Sequence, residues 1–222
     1  MTRIVNNCVA LVCLCLFWGQ SLRAADASHS EQMKWGNESV FNEEHNTLGL
    51  FSGVLGGQIV LAGGTSDDYS RWGRNAVCLS ENAGFALYED VLSKPLAYGA
   101  SITLSDGILC IGGRDSSQCY EDVFFVTMQQ GKLNVSEDWP PLPFPLSNAA
   151  GALLDNKVYL FGGRKSVSPS RLSDSFFVLD LSNKSRGWKE LPGYPGCVRE
   201  DAILVVQNNG VSPCLYLLGG QT

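Results

Sequence analysis

Residues that could bind or convert a ligand recur at matching points of this 222-residue chain. Tyr98, Asn148 and Arg199 each open a short apolar strand, at intervals of 50 and 51 residues. Arg114 and Arg164 each follow a Gly-Gly pair directly. A planar guanidinium can bind a carboxylate through two parallel hydrogen bonds, and tyrosine and asparagine side chains can bind hydroxyl groups. These residue types suit the binding of a polar, anionic ligand.

Two acidic residues, Glu200 and Asp201, come directly after Arg199 and could transfer protons to and from a bound ligand. Successive residues of a strand point to opposite faces of its sheet, so only one of the two carboxylates can face a ligand in the middle of the fold. Each arginine could instead be a solvated loop charge or form an ion pair between repeats. The interpretation of these residues therefore depends on the elements that position them.

Four short apolar strands of the chain each end in a Gly-Gly pair. They are Gln58–Gly64, Ile108–Gly113, Lys157–Gly163 and Cys214–Gly220. The pairs follow one another at intervals of 49, 50 and 57 residues, and a regular period of this size is typical of a repeat architecture. Asp-Gly, Asp-Asn and Asn-Gly dipeptides before three of the strands favour tight hairpin turns. Each repeat is therefore predicted to contain a hairpin that ends in Gly-Gly.

The rest of the repeat supplies two further strands. Acidic-aromatic segments follow the second and third Gly-Gly pairs at residues 120–126 and 173–180, and each is followed by a polar loop and a tryptophan, Trp139 or Trp188. Four strands in about 50 residues are typical of one blade of a kelch-type β-propeller. We predict an all-β chain in which residues 47–222 form about three and a half such blades. A β-sandwich with glycine-rich turns is the alternative.

The predicted blades place the candidate residues on one rim. The first and second strands of a blade are antiparallel, so the start of the first strand lies beside the end of the second. The residues that open the first strands should therefore lie close to those that follow Gly-Gly, and the hairpin turns should lie at the opposite end. Glycine pairs allow the backbones to approach one another closely in the crowded centre. The axial mouth of the propeller is the predicted ligand site.

The first 25 residues have the pattern of a secretory signal peptide. A positive residue precedes a 12-residue apolar core, residues 8–19, which is too short to span a membrane, and Ala24–Ala25 offers small residues for cleavage. The mature protein is therefore expected to be periplasmic or secreted, with no membrane span. Residues 26–46 are polar and acidic and form a predicted linker, in which Met33–Gly36 is a candidate outer strand that would complete the last blade of a closed propeller.

Composition argues against several classes of partner. A net charge of -6 and a pI of about 4.9, without a dense run of Lys and Arg, argue against nucleic acid, because phosphate neutralisation needs clustered positive charge. With no CxxC motif and only His29 and His45 in the chain, neither a zinc nor a copper site is expected, and no cofactor is predicted. Five cysteines lie beyond the signal peptide, and the sequence does not decide whether Cys110 and Cys119 form a disulfide.

Three groups of residues in the predicted blades are specific enough to indicate a family. They are Lys94–Ser101 (KPLAYGAS) with Asp106–Gly113, Phe144–Gly151 (FPLSNAAG), and Gly193–Gly196 leading to Arg199–Ala202. These segments resemble the N-acetylneuraminate epimerase (sialic acid mutarotase) family, and more closely its branch of cyclically permuted mutarotases. The resemblance covers residues 47–222 and implies roughly the first two thirds of a six-bladed propeller.

The resemblance implies an isomerase that interconverts sugar anomers, first of all those of N-acetylneuraminate, by acid–base opening and closing of the ring. For such a substrate, the chemistry and strand positions of the candidate residues suggest their roles: carboxylate binding for Arg199, Arg114 or Arg164 in that order, hydroxyl binding for Tyr98 and Asn148, and proton transfer for Glu200 or Asp201. The alternative function is that of a non-catalytic kelch propeller that binds a protein or a glycan, since propellers serve many functions.

Two features depart from the family. The loop after the first Gly-Gly pair, Thr65–Gly73, is short, whereas the family's loop is long and rich in aromatic and basic residues. The repeat that carries the family's proposed active-site Glu and Arg corresponds to sequence beyond Thr222. We therefore expect the chain to be a fragment whose open arc of blades exposes apolar faces and strand edges and is poorly soluble.

Overall fold

Four antiparallel sheets follow one another along the chain in the computed structural model, which describes residues 48–80, 84–193 and 196–222. The first sheet contains β1 (Phe51–Leu55), β2 (Gln58–Ala62), β3 (Ala76–Ser80) and β4 (Gly84–Tyr88). The second contains β5 (Ala100–Thr103), β6 (Ile108–Ile111), β7 (Val123–Gln129) and β8 (Lys132–Ser136).

The third repeat carries a small additional hairpin. Its strands, in chain order, are β9 (Ala150–Leu154), β10 (Lys157–Phe161), β11 (Arg164–Ser166), β12 (Arg171–Leu172), β13 (Phe176–Asp180) and β14 (Lys189–Leu191). The third sheet has the order β14-β13-β10-β9, and β11 pairs separately with β12. A short 3₁₀ helix, Leu181–Arg186, connects β13 to β14. The fourth sheet consists of β15 (Glu200–Asn208) and β16 (Pro213–Gln221).

The predicted all-β, kelch-type propeller fold is confirmed. In each of the first three sheets, every strand lies beside the strand of that sheet that comes next along the chain. This is the four-stranded meander of a propeller blade. The fourth sheet holds the two strands that the sequence predicted for it. The predicted four strands per repeat include β3 and β4 of the first repeat, but no acidic-aromatic segment or tryptophan marks their positions in the sequence.

The core lies between successive sheets and explains the apolar runs of the second strands. In β6, Ile108 and Cys110 face the first sheet, and Leu109 and Ile111 face the third. All four side chains are buried, so this strand has no polar face. The first strands also meet directly, because the Ser52 backbone N–H donates to the Ser101 hydroxyl in the next sheet at 3.1 Å. The sheets therefore stack face to face, with the first strands as neighbours.

The Gly-Gly pairs form the joints between repeats. A Cβ built on Gly63, the first glycine of its pair, would stand 2.2 Å from the carbonyl oxygen of Leu96. The corresponding distance is 2.2 Å from Gly112 to the carbonyl oxygen of Leu146, and 2.4 Å from Gly162 to that of Arg199. The second glycine of each of these pairs donates its N–H to the same carbonyl, at 2.8 to 2.9 Å. The first strand of each following repeat is therefore attached to the preceding blade at a point where no side chain fits.

We predict that Gly112→Ala destabilises the protein far more than Gly56→Ala. Both glycines have a positive φ, 63° and 55°, so both variants bear the left-handed strain of an alanine, about 1 kcal/mol. Only Gly112 also faces a carbonyl, whereas none of the described residues lies within 4 Å of a Cβ at Gly56. Displacing that carbonyl should raise the total loss of unfolding free energy to about 2–4 kcal/mol. Urea denaturation measures both losses, and equal losses would show that the joint does not depend on glycine.

The cysteines of the described residues are free thiols, so the Cys110–Cys119 disulfide that the sequence left open is not formed. Cys110 packs in the core, where burial raises the pKa of its thiol, and Cys119 lies 3.4 Å from the Ser147 hydroxyl. Among the described residues no helix is long and apolar enough to cross a membrane. The predicted signal peptide (1–25) and linker (26–46), with its candidate strand Met33–Gly36, lie outside the described residues.

Candidate functional site

One residue in each repeat has a left-handed backbone near the start of the first strand. These residues are Gly49, Tyr98, Asn148 and Asp201, with φ values of 64°, 60°, 56° and 53°, and Asp201 is the second residue of β15. Each of the last three donates its N–H to the carbonyl of the member before it, at 2.7 Å for Tyr98, 2.6 Å for Asn148 and 3.0 Å for Asp201. We call this row the left-handed chain. It places the side chains of Tyr98, Asn148 and Asp201 at equivalent points of the same rim.

The structure corrects the position that the sequence spacing gave to Arg199. The fourth member of the left-handed chain is Asp201, so Arg199 does not correspond to Tyr98 and Asn148. Its carbonyl accepts from the second glycine of the preceding repeat, as the carbonyls of the buried Leu96 and Leu146 do. The Arg199 guanidinium donates to the Gly219 carbonyl at 2.8 Å, within its own hairpin.

Arg114 lies in a cluster of aromatic rings on this rim. Its guanidinium carbon is 4.7 Å from the ring centre of Tyr98, 5.1 Å from that of Trp72 and 5.9 Å from that of Tyr69. Such contacts hold the flat faces of a guanidinium and leave its N–H edges for acceptors. Among the described residues, the buried Nε atom of Arg114 has no hydrogen-bond partner. Arg114 therefore retains an unused donor beside Tyr98.

Tyr69 and Trp72 of the short loop Thr65–Gly73 also belong to this cluster, and they were not predicted as site residues from the sequence. Asp68 organises this loop by accepting from the Ser66 hydroxyl and from the backbone N–H and hydroxyl of Ser70, and these bonds lower the pKa of Asp68 to about 2. Trp72 donates its indole N–H to the Tyr69 carbonyl at 3.1 Å. The short loop thus still contributes aromatic side chains to the rim. The presence of two aromatic residues in the loop that follows a Gly-Gly pair could have indicated this from the sequence.

Tyr98 lies between a positive and a negative group. Burial and a 3.3 Å hydrogen bond to the Tyr69 hydroxyl raise the pKa of its phenol, Arg114 opposes this rise, and Asp201 adds to it. Tyr98 is therefore a neutral hydroxyl at ordinary pH and can act as a hydrogen-bond donor. The Arg114 guanidinium contacts the Tyr98 ring, and Asp201 is linked to the Tyr98 main chain through Asn148, so these residues lie on the same rim.

Asn148 and Asp201 are joined side chain to side chain. The Asn148 amide donates through Nδ2 to Asp201 Oδ1 at 2.8 Å, in addition to the backbone bond between the same two residues. Asp201 is exposed, and Asn148 is partly buried. The structure therefore brings together Tyr98, Arg114, Asn148 and Asp201 from the sequence-predicted set.

Arg164 and Glu200 bind one another instead of remaining open to a ligand. Arg164 donates through Nε to Glu200 Oε2 at 2.8 Å and through a terminal nitrogen to Oε1. The Glu200 side chain is only 9% exposed, and its hydrogen bonds raise the pKa of Arg164. This is the ion pair between repeats that the sequence left as an alternative. Of the two successive carboxylates, the structure leaves Asp201 on the rim and buries Glu200.

Comparison with known proteins agrees with this architecture. The model of the Kelch motif matches residues 145–192, which cover most of the third repeat. Residues 145–192 are a kelch repeat. Among the described residues, no group of three or more His, Cys, Asp or Glu side chains could hold a metal ion.

Several relatives match part of this chain in sequence. An N-acetylneuraminate epimerase of Vibrio cholerae serotype O1 is 32% identical over 101 residues, which cover 46% of this chain and 23% of the relative. The N-acetylneuraminate epimerase of Yersinia pestis (strain Pestoides F) is 32% identical over 85 residues, covering 38% of this chain and 19% of the relative. A Kelch domain-containing protein of Vibrio cholerae is 32% identical over 81 residues, covering 36% and 20%. The chain thus spans less than a quarter of the length of these relatives.

A solved structure of the protein YjhT matches with a TM-score of 0.63 over 78% of this chain and 62% of that chain. The sequence identity is 13%, so this likeness concerns the fold.

Proposed function

We propose that this protein is an exported carbohydrate isomerase that interconverts the anomers of an acidic sugar, with N-acetylneuraminate as the first candidate. The observation that carries the proposal is that Arg114 contacts the Tyr98 ring while Tyr98, Asn148 and Asp201 are hydrogen-bonded in series along the same rim. Together they supply a cation for a carboxylate, a neutral hydroxyl for hydrogen bonding and an exposed carboxylate for proton transfer. The similarity to proteins named N-acetylneuraminate epimerase supports the same class of substrate.

The proposed reaction needs only proton transfers. Asp201 accepts the proton of the anomeric hydroxyl while the bond between the anomeric carbon and the ring oxygen breaks, and solvent at the exposed rim protonates the ring oxygen. The open-chain ketone then turns its other face to the same hydroxyl. On closure, that hydroxyl loses its proton to solvent, and protonated Asp201 returns its proton to the new anomeric oxygen. Proton transfer by one positioned side chain is enough for a reaction with a modest rate demand.

Arg114 replaces Arg199 as the first candidate for binding the sugar carboxylate. Arg164 is bound to Glu200, and Arg199 donates to the backbone carbonyls of Cys197 and Gly219. The Arg114 guanidinium contacts aromatic rings, and its hydrogen bond from a terminal nitrogen to the Asp115 carbonyl is a long one, at 3.4 Å. A bidentate bond from such a guanidinium edge would orient the carboxylate, and with it the anomeric carbon to which it is attached.

Export is part of the proposal and has its own test. The 12-residue apolar core and the Ala24–Ala25 site support cleavage that leaves Ala25 or Asp26 as the mature N-terminus. N-terminal sequencing of protein recovered from outside the cytoplasm measures this directly. Recovery of exported protein that still contains Cys13 would rule the cleavage out.

A binding protein without catalysis is the second candidate, supported by the match to a relative named only for its kelch domain. Proton NMR of freshly released α-N-acetylneuraminate separates the two functions. An isomerase should raise the rate at which the β-anomer appears, and this increase should be proportional to the protein concentration. A binding protein should give a calorimetric binding signal with the uncatalysed rate unchanged.

A further inference from the structure

We propose that Asn148 is a positioning residue, whose amide orients the carboxylate of Asp201 toward the ligand; this inference rests on the isomerase function proposed above. Two hydrogen bonds join these residues across the boundary between the third and fourth repeats. The Asp201 N–H donates to the Asn148 carbonyl at 3.0 Å, and Asn148 Nδ2 donates to Asp201 Oδ1 at 2.8 Å. One bond fixes the backbone of Asp201 and the other fixes its carboxylate.

The orientation of the Asn148 amide follows from its partner. If the amide were turned over, its oxygen would face an oxygen of Asp201, and two acceptors would repel one another. The observed orientation leaves Oδ1 of Asn148 buried and, among the described residues, without a hydrogen-bond partner. A buried acceptor without a partner costs stability. The amide therefore keeps its hydrogen bond from Nδ2 to Asp201, although its oxygen is left without a donor among the described residues.

The backbone at both residues points to a functional site as well. Asn148 and Asp201 have φ values of 56° and 53°, in the left-handed region that asparagine and aspartate tolerate better than most residues. Non-glycine residues with this conformation cluster at functional sites. Asn148 and Asp201 are consecutive members of the left-handed chain and are bonded main chain to main chain. Their side chains therefore leave the backbone at matched points and come within hydrogen-bonding distance of one another.

An exposed carboxylate needs such a partner to act in one geometry. Asp201 is exposed, and a free aspartate side chain at the surface would sample several rotamers. The bond from Asn148 occupies Oδ1 and leaves Oδ2 for the anomeric hydroxyl of the sugar. Loss of this bond should therefore lower the rate of proton transfer and leave the binding of the sugar largely as it is.

The test compares Asn148→Gly with Asn156→Gly in the full-length protein. Glycine removes each side chain without strain at the left-handed φ. Asn156 is a matched control, because it also has a positive φ, 57°, and its amide donates to the Ser182 hydroxyl at 2.9 Å, but it lies in the β9–β10 turn at the opposite end of the sheet. The measured quantities are kcat and KM for anomer exchange of N-acetylneuraminate by NMR. Asn148→Ala, which removes the amide without adding a charge, is the second variant in case the glycine variant does not fold.

Both Asn148 variants should lose about 10-fold to 100-fold in kcat with KM within about 2-fold, and Asn156→Gly should keep both values. In an Asp201→Ala background, Asn148→Gly should cause no further loss, because it acts through Asp201. A raised KM with unchanged kcat, or an additional loss in that background, would overturn the positioning role alone. If the unaltered protein does not accelerate exchange, the isomerase proposal itself fails, and this inference fails with it.

Discussion

Replacing Glu200 by Ala is expected to lower the free energy of unfolding by about 3–5 kcal/mol, because it leaves the Arg164 guanidinium partly buried without its counter-charge. The Arg164 side chain is 26% exposed and donates to both oxygens of Glu200. The pair also joins the third repeat to the fourth, so its loss should weaken the attachment of the last two strands. Chemical denaturation followed by circular dichroism measures the loss.

Two controls separate the buried pair from ordinary surface charge. Arg74→Ala breaks the ion pair with Asp90 and should cost at most about 1 kcal/mol, because the side chains of Arg74 and Asp90 are 40% and 67% exposed. The double variant Arg164→Met with Glu200→Leu removes both charges and should recover most of the stability, because apolar side chains need no counter-charge. A loss for Glu200→Ala no larger than that for Arg74→Ala would mean that the Arg164–Glu200 pair does not hold the third and fourth repeats together.

The second large effect is expected at Arg114. Replacing Arg114 by Ala should weaken the binding of N-acetylneuraminate by about 1.5–3 kcal/mol, the contribution of hydrogen bonds to a charged group. Arg114→Lys should recover only part of this, because an ammonium group cannot form two parallel bonds to one carboxylate. Isothermal titration calorimetry of the full-length protein measures the affinities.

Arg199→Ala and Arg186→Ala complete the comparison. Arg186 ends the 3₁₀ helix that connects β13 to β14, on the outer part of the third repeat, and its replacement should leave the affinity unchanged. Arg199→Ala should change it much less than Arg114→Ala does, since Arg199 lies at the position of two buried leucines and not on the left-handed chain. If Arg199→Ala caused the larger loss, the original sequence-based order of the arginines would be right and the assignment to Arg114 wrong.

The sequence predicted the repeat well because its strongest signals are steric. Gly-Gly pairs recur where the carbonyl of the next repeat leaves no room for a Cβ, and an apolar run such as Ile108–Ile111 reflects a strand with sheets on both sides. These constraints act at every blade, so their period is visible in a single chain. By contrast, the positions of β3 and β4 could not be read from the sequence, because the first repeat lacks the acidic-aromatic and tryptophan pattern of the second and third.

The candidate site was harder to predict because it depends on register. Tyr98 and Asn148 are 50 residues apart, but the equivalent residue of the fourth repeat is 53 residues further on, so equal spacing pointed to Arg199 instead of Asp201. The pairing of Arg164 with Glu200 depends on the contact between two repeats, which the sequence could only leave open. The aromatic cluster around Arg114 arises because the Thr65–Gly73 loop folds on its own hydrogen bonds, and the length of a loop does not reveal where its side chains point.

The proposed reaction is tested most directly by NMR exchange spectroscopy of N-acetylneuraminate at anomeric equilibrium, with the full-length protein and its Asp201→Asn variant. The unaltered protein should raise the exchange rate between the two anomers in proportion to its concentration. Asn keeps the shape of Asp201 but cannot accept the proton, so the catalysed rate should fall about 100-fold or more. Exchange at the uncatalysed rate with the unaltered protein, or an undiminished rate with Asp201→Asn, would contradict the proposal.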